Sequence, residues 1–259
     1  MSLQQLLSLE GRVAVVTGAS RGLGKAFGAA LAEAGAHVVV VSRHRGELDE
    51  AAQQVRAFGR EALAIQADVT REDQIAEMVN KALERFGRID ILVNNAATER
   101  HNVPPEEVSL DRWKEVIDTN VTGCFLCARE VGKAMIPKKR GKIINVASMS
   151  GMIINRYFHG GSYDVSKSAV VGLTKALAAE WAAHGINVIA LAPGYYGTAP
   201  NLRWFESNPE IHRQVLELIP LKRLGNIEEL AALVVVLASD VTNYMTGSVV
   251  VIDGGYTVW

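Results

Sequence analysis

Seven short runs of aliphatic and β-branched residues recur along this chain and limit what it can fold into. They are "RVAVV" at 12–16, "HVVVVS" at 37–42, "EALAIQAD" at 61–68, "IDILVNN" at 89–95, "KIINVAS" at 142–148, "INVIALA" at 186–192 and "SVVVID" at 248–253. They are continuously apolar rather than alternating, which is the pattern of strands buried on both faces of a parallel sheet. Amphipathic stretches of helical length separate them, such as "EDQIAEMVNKALERFG" from residue 72 and "SLDRWKEVIDTNVTGCFLCAREVGKAM" from residue 109. Gly35, Gly87 and Gly185 close several of these stretches, as helix C-caps do. Strand, helix and strand repeated without a break predict right-handed crossovers. The expected fold is therefore α/β: a single-domain, doubly wound (Rossmann-type) parallel seven-stranded sheet over 1–259, with helices on both faces. One long irregular stretch begins with "PGYYGTAPNLRWFESNPE" at 193 and runs into an amphipathic piece ending near Pro220. An insertion of that length predicts a substrate loop or lid at about 194–220.

The 259 residues are 49% apolar and 21% charged, an ordinary globular balance, and the formal net charge of −1 gives no overall basic field for nucleic acid or an anionic membrane. The one basic cluster, "PKKRGK" at 137–142, reads as a solvated turn. The opening "MSLQQLLSLEGR" lacks the features of a secretory signal, and no apolar run is long enough to span a bilayer, so the cytoplasm is the expected compartment. "CFLC" at 124–127 invites a redox reading, but it lies inside an apolar helical pattern, where both thiols are better read as core. The six histidines show no metal-ligand spacing, and no metal is assigned.

Chemistry begins in "VVTGASRGLGKAFGAALAEAG", which leaves the first strand and enters a helix with glycines at 18, 22 and 24. Glycines let a backbone turn tightly and approach a ligand, and a helix N-terminus offers free N–H groups to a pyrophosphate. A glycine-rich turn alone can be only a tight connection; its place after the first strand favours a dinucleotide. The second strand ends in Ser42 and Arg43, where an acid would hold a free ribose 2′-hydroxyl. An arginine there suits a 2′-phosphate, with Arg21 able to close on the same group, so NADP is expected and NAD remains possible. Arg43 as plain solvated surface is the competing reading.

A second feature is "SYDVSKSA" at 162–169, which puts Tyr163 and Lys167 one helical turn apart on the same face. A surface pair and an activated phenol both fit that spacing.

With "TGASRGLG", "NNAA", "NVAS" and "YDVSK" in this order, the chain resembles the classical short-chain dehydrogenase/reductase family from Gly11 to about Tyr256. The resemblance places Gly18, Ser20, Arg21, Gly22, Leu23 and Gly24 on the coenzyme turn, with Ser42 and Arg43 beyond it. It assigns Asp68 and Val69 to the adenine, Asn94 and Ala96 to the floor of the cofactor site, and Pro193, Gly194 and Thr198 to the nicotinamide amide. Asn120, Ser148, Tyr163 and Lys167 match the catalytic tetrad, with Tyr163 and Lys167 also touching the cofactor. Two departures stand out: Ala97 replaces the usual glycine, and the interval from Ser148 to Tyr163 is longer than usual.

The residue types suit carbonyl reduction and its reverse. A phenol near its ordinary pKa of about 10 is a poor base at neutral pH, and lowering it by about three units takes roughly 4 kcal/mol. An ammonium about 4 Å away, at an effective dielectric near 20, supplies about that much, so Lys167 is the expected activator. Ser148 is expected to hydrogen-bond the reacting oxygen. The Asn120 amide is expected to hold a water on a proton path, unless it only satisfies local backbone.

The last third looks most like the branch acting on sugar acids and polyols, such as gluconate 5-dehydrogenase. Arg100, His101, Arg156, His159 and Arg203 are the candidate substrate contacts, each with a rim-charge alternative. A 3-oxoacyl thioester (acyl carrier protein) reductase is the nearest rival, and a non-catalytic NADP-binding sensor is a rival of another class. The resemblance implies pairing through the helices at 109–136 and 162–184, which carry apolar surface that includes Val170, Val171 and Trp181, and hence a homotetramer.

Overall fold

The computed structural model describes residues 2–98, 100–156 and 158–259. A short helix α1 (Leu3–Leu7) precedes β1 (Val13–Thr17), α2 (Gly22–Glu33), β2 (His37–Ser42), α3 (Arg45–Ala57), β3 (Ala62–Gln66), α4 (Glu72–Phe86) and β4 (Ile91–Asn94). The chain continues through α5 (Leu110–Ile117), α6 (Gly123–Met135), β5 (Gly141–Val146), α7 (Gly161–Trp181), β6 (Ile186–Pro193), α8 (Ala199–Ser207), α9 (Pro209–Leu218), α10 (Ile227–Ala238) and β7 (Val249–Ile252). All seven strands form one parallel sheet in the order β3-β2-β1-β4-β5-β6-β7. Helices cover both faces, as the apolar runs imply.

Alternation along each central strand explains those runs. Ala14 and Val16 of β1, Val38 and Val40 of β2, and Ile91 and Val93 of β4 face a core completed by α2, α3 and α10. Val13 and Val15, Val39 and Val41, and Leu92 face the opposite core with α4, α6 and α7. Each residue meets a helix whichever way it points, so no polar alternation survives. The chain winds outward from β1 to β3, then returns to pair β4 with β1 and winds the other way. At that reversal the connections diverge and leave a crevice beyond the carboxyl ends of β1 and β4.

Three segments differ from the sequence reading. The stretch 109–136 is not one helix, because a π-type wide turn at Asp118–Thr122 separates α5 from α6. Its Thr119 and Asn120 are buried, and the Asn120 amide is bonded to tertiary partners, which outweigh the regular helical ladder. The stretch after Pro193 is more regular than expected, for it forms α8 and α9. Pro200 and Pro209 occupy the first turns of these helices, where proline costs no helical hydrogen bond. The "PKKRGK" cluster is a solvated turn through Arg140, with Lys139 left-handed at φ 51°, but Lys142 lies buried in β5. Cys124 and Cys127 are free and buried, and burial lifts the Cys124 thiol to about 12, so neither is a ready thiolate. Among the described residues no helix is long and apolar enough to cross a membrane, and no group of side chains could hold a metal ion.

The Lys142 ammonium donates to Thr242 Oγ1 at 3.2 Å, close to an Asp240 carboxylate already paired with Arg12 and Arg140. Burial is the larger influence and pushes Lys142 down to about 8. A lysine whose folded value lies below its unfolded one costs stability while protonated, and the cost fades as pH rises from about 8 toward 10.5. Lys142→Met is expected to stabilise the protein by about 1–2 kcal/mol at pH 7 and by less at pH 10, read from urea unfolding. Destabilisation at both pH values would contradict the assigned cost.

Candidate active site

A trough follows the crevice beyond the strand ends. Its first part, about 280 Å³, lies against the glycine turn between β1 and α2, the end of β2 and the segments after β3 and β4. Gly18 has φ +64°, and a Cβ there would stand 2.9 Å from the Ala96 Cα, so only glycine admits the turn. Gly22 has φ +54° and open space where a side chain would go. Arg21, at the N-cap of α2, forms no side-chain cap, which leaves the first N–H groups of the helix facing this end. Such an uncapped terminus beside a glycine cradle fits the pyrophosphate of a dinucleotide. Gly18, Ser20, Arg21, Gly22, Leu23, Gly24, Ser42, Arg43, Val69 and Ala96 all line this part.

Asp68 and Asn94 do not line it. The Asp68 carboxylate accepts from Thr70 N at 2.9 Å and Thr70 Oγ1 at 2.8 Å, closing a local turn. Asn94 is buried, and its Nδ2 donates to Asn145 Oδ1 at 2.9 Å and to the Cys124 carbonyl at 3.2 Å. The next residue, Asn95, faces the trough. Its Nδ2 donates to the Thr17 and Gly18 carbonyls at 3.0 and 3.1 Å, which locks the glycine turn to the end of β4.

The second part, about 450 Å³, shares Leu23, Asn95 and Ala97 with the first, so the two are continuous. Ser148, Tyr163, Lys167, Pro193, Gly194 and Thr198 line it. Ser148 follows β5 and caps a short 3₁₀ turn, with its Oγ accepting from Ser150 N at 3.1 Å. Tyr163 and Lys167 project from one face of α7. Lys167 Nζ lies 5.6 Å from the Tyr163 ring centroid and donates to the Val146 carbonyl at 2.8 Å. Asn120 is buried behind this group, its Oδ1 accepting from Thr98 N at 2.8 Å and its Nδ2 donating to Ser166 Oγ at 3.0 Å. The amide therefore ties the wide turn to α7 and to the segment following β4.

The electrostatics differ from the sequence-based expectation. Burial raises the Tyr163 phenol above its ordinary value; the Arg100 cation and the Ser148 hydrogen bond pull it down, and Asp164 pushes it up. Lys167 Nζ, 5.6 Å from the ring centroid, is a second cation beside the phenol. Burial pushes its own ammonium down to about 8, against a smaller upward pull from Cys124. The nearer cation is Arg100, whose guanidinium carbon sits 5.0 Å from the Tyr163 ring centroid and which pulls the phenol down.

Arg100 is held by a buried partner. Its Nη2 donates to Asp164 Oδ1 at 2.6 Å and to Ser150 Oγ at 2.9 Å, and Asp164 is only 3% exposed. A Cβ at Gly160 would fall 1.7 Å from Asp164 Oδ2, so the glycine makes room for this carboxylate. Among the described residues, Arg100 Nη1 and Asp164 Oδ2 have no partner, and Arg100 lines the trough. An aromatic wall begins at Arg100 itself, whose guanidinium carbon lies 5.6 Å from the Phe158 ring centroid: Phe158 and Trp204 lie 5.2 Å apart, and Tyr195 packs edge-on to Phe205 and Tyr256. The site thus offers a fixed cationic fork, a hydroxyl, a phenol and an amine beside a group of aromatic rings.

The family model described as "Enoyl-(Acyl carrier protein) reductase" matches residues 18–257. The galactitol 2-dehydrogenase (L-tagatose-forming) of Cereibacter sphaeroides is 40% identical, with all of both chains covered. The chain belongs to the short-chain dehydrogenase/reductase family. A 3-oxoacyl-[acyl-carrier-protein] reductase of Synechocystis is likewise 40% identical, over 98% of this chain and all of that one. A gluconate 5-dehydrogenase from Burkholderia cenocepacia, solved with NADP and tartrate, superimposes with a TM-score of 0.93 at 32% identity and covers all of both chains. As a short-chain dehydrogenase/reductase, the protein is an oxidoreductase acting on CH–OH groups.

Of the five candidate substrate contacts, only Arg100 lines the trough. The His101 Nε2 points to Glu115, 3.8 Å away. Arg156 and His159 are exposed outside the trough, His159 donating its backbone N–H to Asn102 Oδ1. Arg203 lies on the outer side of α8, whereas Trp204 and Phe205 turn inward. The sequence reading missed Asn95, the aromatic wall and Asp164, although Asp164 adjoins Tyr163 within "YDVSK".

Removing Arg100 would strand a buried carboxylate. Arg100→Met is expected to cost about 3 kcal/mol at pH 7, and adding Asp164→Asn is expected to recover most of it. Burial already raises Asp164, so without Arg100 the folded state binds its proton more tightly than the unfolded chain does. Stability of the single variant should therefore improve as pH falls from 7 to 5. Urea unfolding at both pH values checks this, and an equal loss with no recovery would refute the pairing.

Proposed function

We propose that the protein is an NADP(H)-dependent oxidoreductase, able to use NAD(H), that interconverts a secondary alcohol and a ketone on a sugar acid or polyol, in the manner of a gluconate 5-dehydrogenase. The observation that carries this reading is the convergence of Ser148, Tyr163, Lys167 and Arg100 at one end of a trough whose other end is an uncapped helix N-terminus. A nicotinamide coenzyme bound along that trough supplies or accepts the hydride. Ser148 holds the reacting oxygen. Tyr163, kept protonated by burial, gives its proton to that oxygen in the reductive direction. Lys167 steadies this end of the trough from the Val146 carbonyl, and its depressed value keeps its proton mobile. Asn120 fixes the wide turn behind them. The Arg100 guanidinium, which lines the trough, meets a carboxylate or hydroxyl of the substrate, and the ring of Trp204 suits the C–H face of a carbon chain.

The galactitol and gluconate dehydrogenases support the sugar reading. The Synechocystis relative supports the rival, a 3-oxoacyl thioester reductase. A cationic fork held in the trough by a buried carboxylate favours a small polar substrate over an acyl chain. A complete set of reacting groups argues against an NADP-binding sensor. We further propose a single domain working in the cytoplasm as a homotetramer. Leu110, Trp113 and Phe125 on α5 and α6, and Val165 on α7, leave apolar area exposed for such pairing. Val170, by contrast, is buried within the chain.

Turnover of 5-ketogluconate with NADPH should exceed that of an acetoacetyl thioester, and the reverse ranking would favour the rival. Tyr163→Phe should lower kcat by about a thousandfold while the coenzyme Kd changes by less than about threefold. Unchanged turnover would remove Tyr163 from the chemistry.

A further inference from the structure

The outer end of the trough carries a hydrogen-bond relay whose direction bears on coenzyme choice. Ser42, at the end of β2, donates its hydroxyl to Ser20 Oγ at 3.1 Å, and Ser20, in the glycine turn, donates to Glu47 Oε2 at 3.0 Å. Glu47 stands in the first turn of α3, where the helix N-terminus favours its charge. Ser20 and Ser42 line the trough beside Arg21, Arg43 and His44, and Glu47 stands behind Ser20.

A hydroxyl has one proton, and both protons here are committed along the relay toward the carboxylate. What the two oxygens offer a ligand is lone pairs. Lone pairs suit the free 2′-hydroxyl of an adenosine ribose, which brings a donor. A 2′-phosphate brings acceptors and negative charge, so it must turn both hydroxyls away from Glu47 and then sit near that carboxylate. The end of β2 lacks an acid, but the next helix carries one to the same place.

We infer that Glu47 is a coenzyme-selectivity residue. Acting through Ser20 and Ser42, it opposes Arg21 and Arg43 and keeps NAD(H) usable beside NADP(H). The inference rests on the proposed placement of the coenzyme. Discrimination is then a difference of two terms: cations attract the 2′-phosphate while a carboxylate and two pre-oriented hydroxyls resist it.

The test is titration calorimetry of the substrate-free protein with NADPH and NADH, for wild type, Glu47→Gln and Arg43→Ala. Glu47→Gln keeps the side-chain size and removes the charge. It is expected to raise the ratio Kd(NADH)/Kd(NADPH) by about three- to tenfold, chiefly through tighter NADPH, with a smaller gain at high salt. An unchanged ratio, or equal changes for both coenzymes, overturns the role of Glu47. If Arg43→Ala weakens NADPH while Glu47→Gln changes nothing, the relay fails and the coenzyme placement stands. If wild type binds neither coenzyme, both fail.

Discussion

The parallel pairing of β1 with β4 decides where the rest of the site must lie. Winding reverses there, so the connections leaving β1 and β4 run apart and open a crevice beyond the carboxyl ends of these two strands. Thr17, at the end of β1, holds the two sides together: its Oγ1 accepts from the backbone N–H groups of Asn95 and Ala96 at 3.0 and 3.1 Å. Asn95 answers with its amide on the Thr17 and Gly18 carbonyls. The glycine turn, the segment carrying Thr98 and Arg100, and the wide turn at Asn120 are all registered to this clasp. Loss of the β1–β4 register would separate the two parts of the trough.

Within that frame the chemistry depends on a contest between burial and charge. The spacing of Tyr163 and Lys167 does place them on one face of α7. Burial then acts on both: it raises the phenol and lowers the ammonium, so each is driven toward its neutral form. That desolvation penalty opposes the Coulomb attraction between phenolate and ammonium. Of the two cations beside the ring, Arg100 resists deprotonation and is moderated by Asp164, whereas burial weakens the hold of Lys167 on its proton. Tyr163 is consequently a proton donor in the protein alone.

Much of the sheet was readable before any coordinates, because a residue buried on both faces of a strand must be apolar wherever the strand points. The glycine turn was readable for a similar reason, since few residues other than glycine tolerate φ near +60°. Placements set by tertiary contacts were not. Nothing local distinguishes Asn94, which turns inward to Asn145, from Asn95, which faces the trough. Lys142 looks like the last residue of a basic turn until β5 carries it into the interior. Arg203 and Trp204 are neighbours, yet the rotation of α8 sends one outward and the other in. Asp164 showed its importance only when Arg100, 64 residues earlier, was brought against it.

The state of the Tyr163 phenol is the point on which this account turns. Ultraviolet difference titration near the tyrosinate band, comparing wild type with Tyr163→Phe in the absence of coenzyme, reports that one group. The account predicts no ionisation of Tyr163 up to the ordinary phenol value of about 10. A Tyr163-specific tyrosinate signal appearing near neutral pH would contradict it.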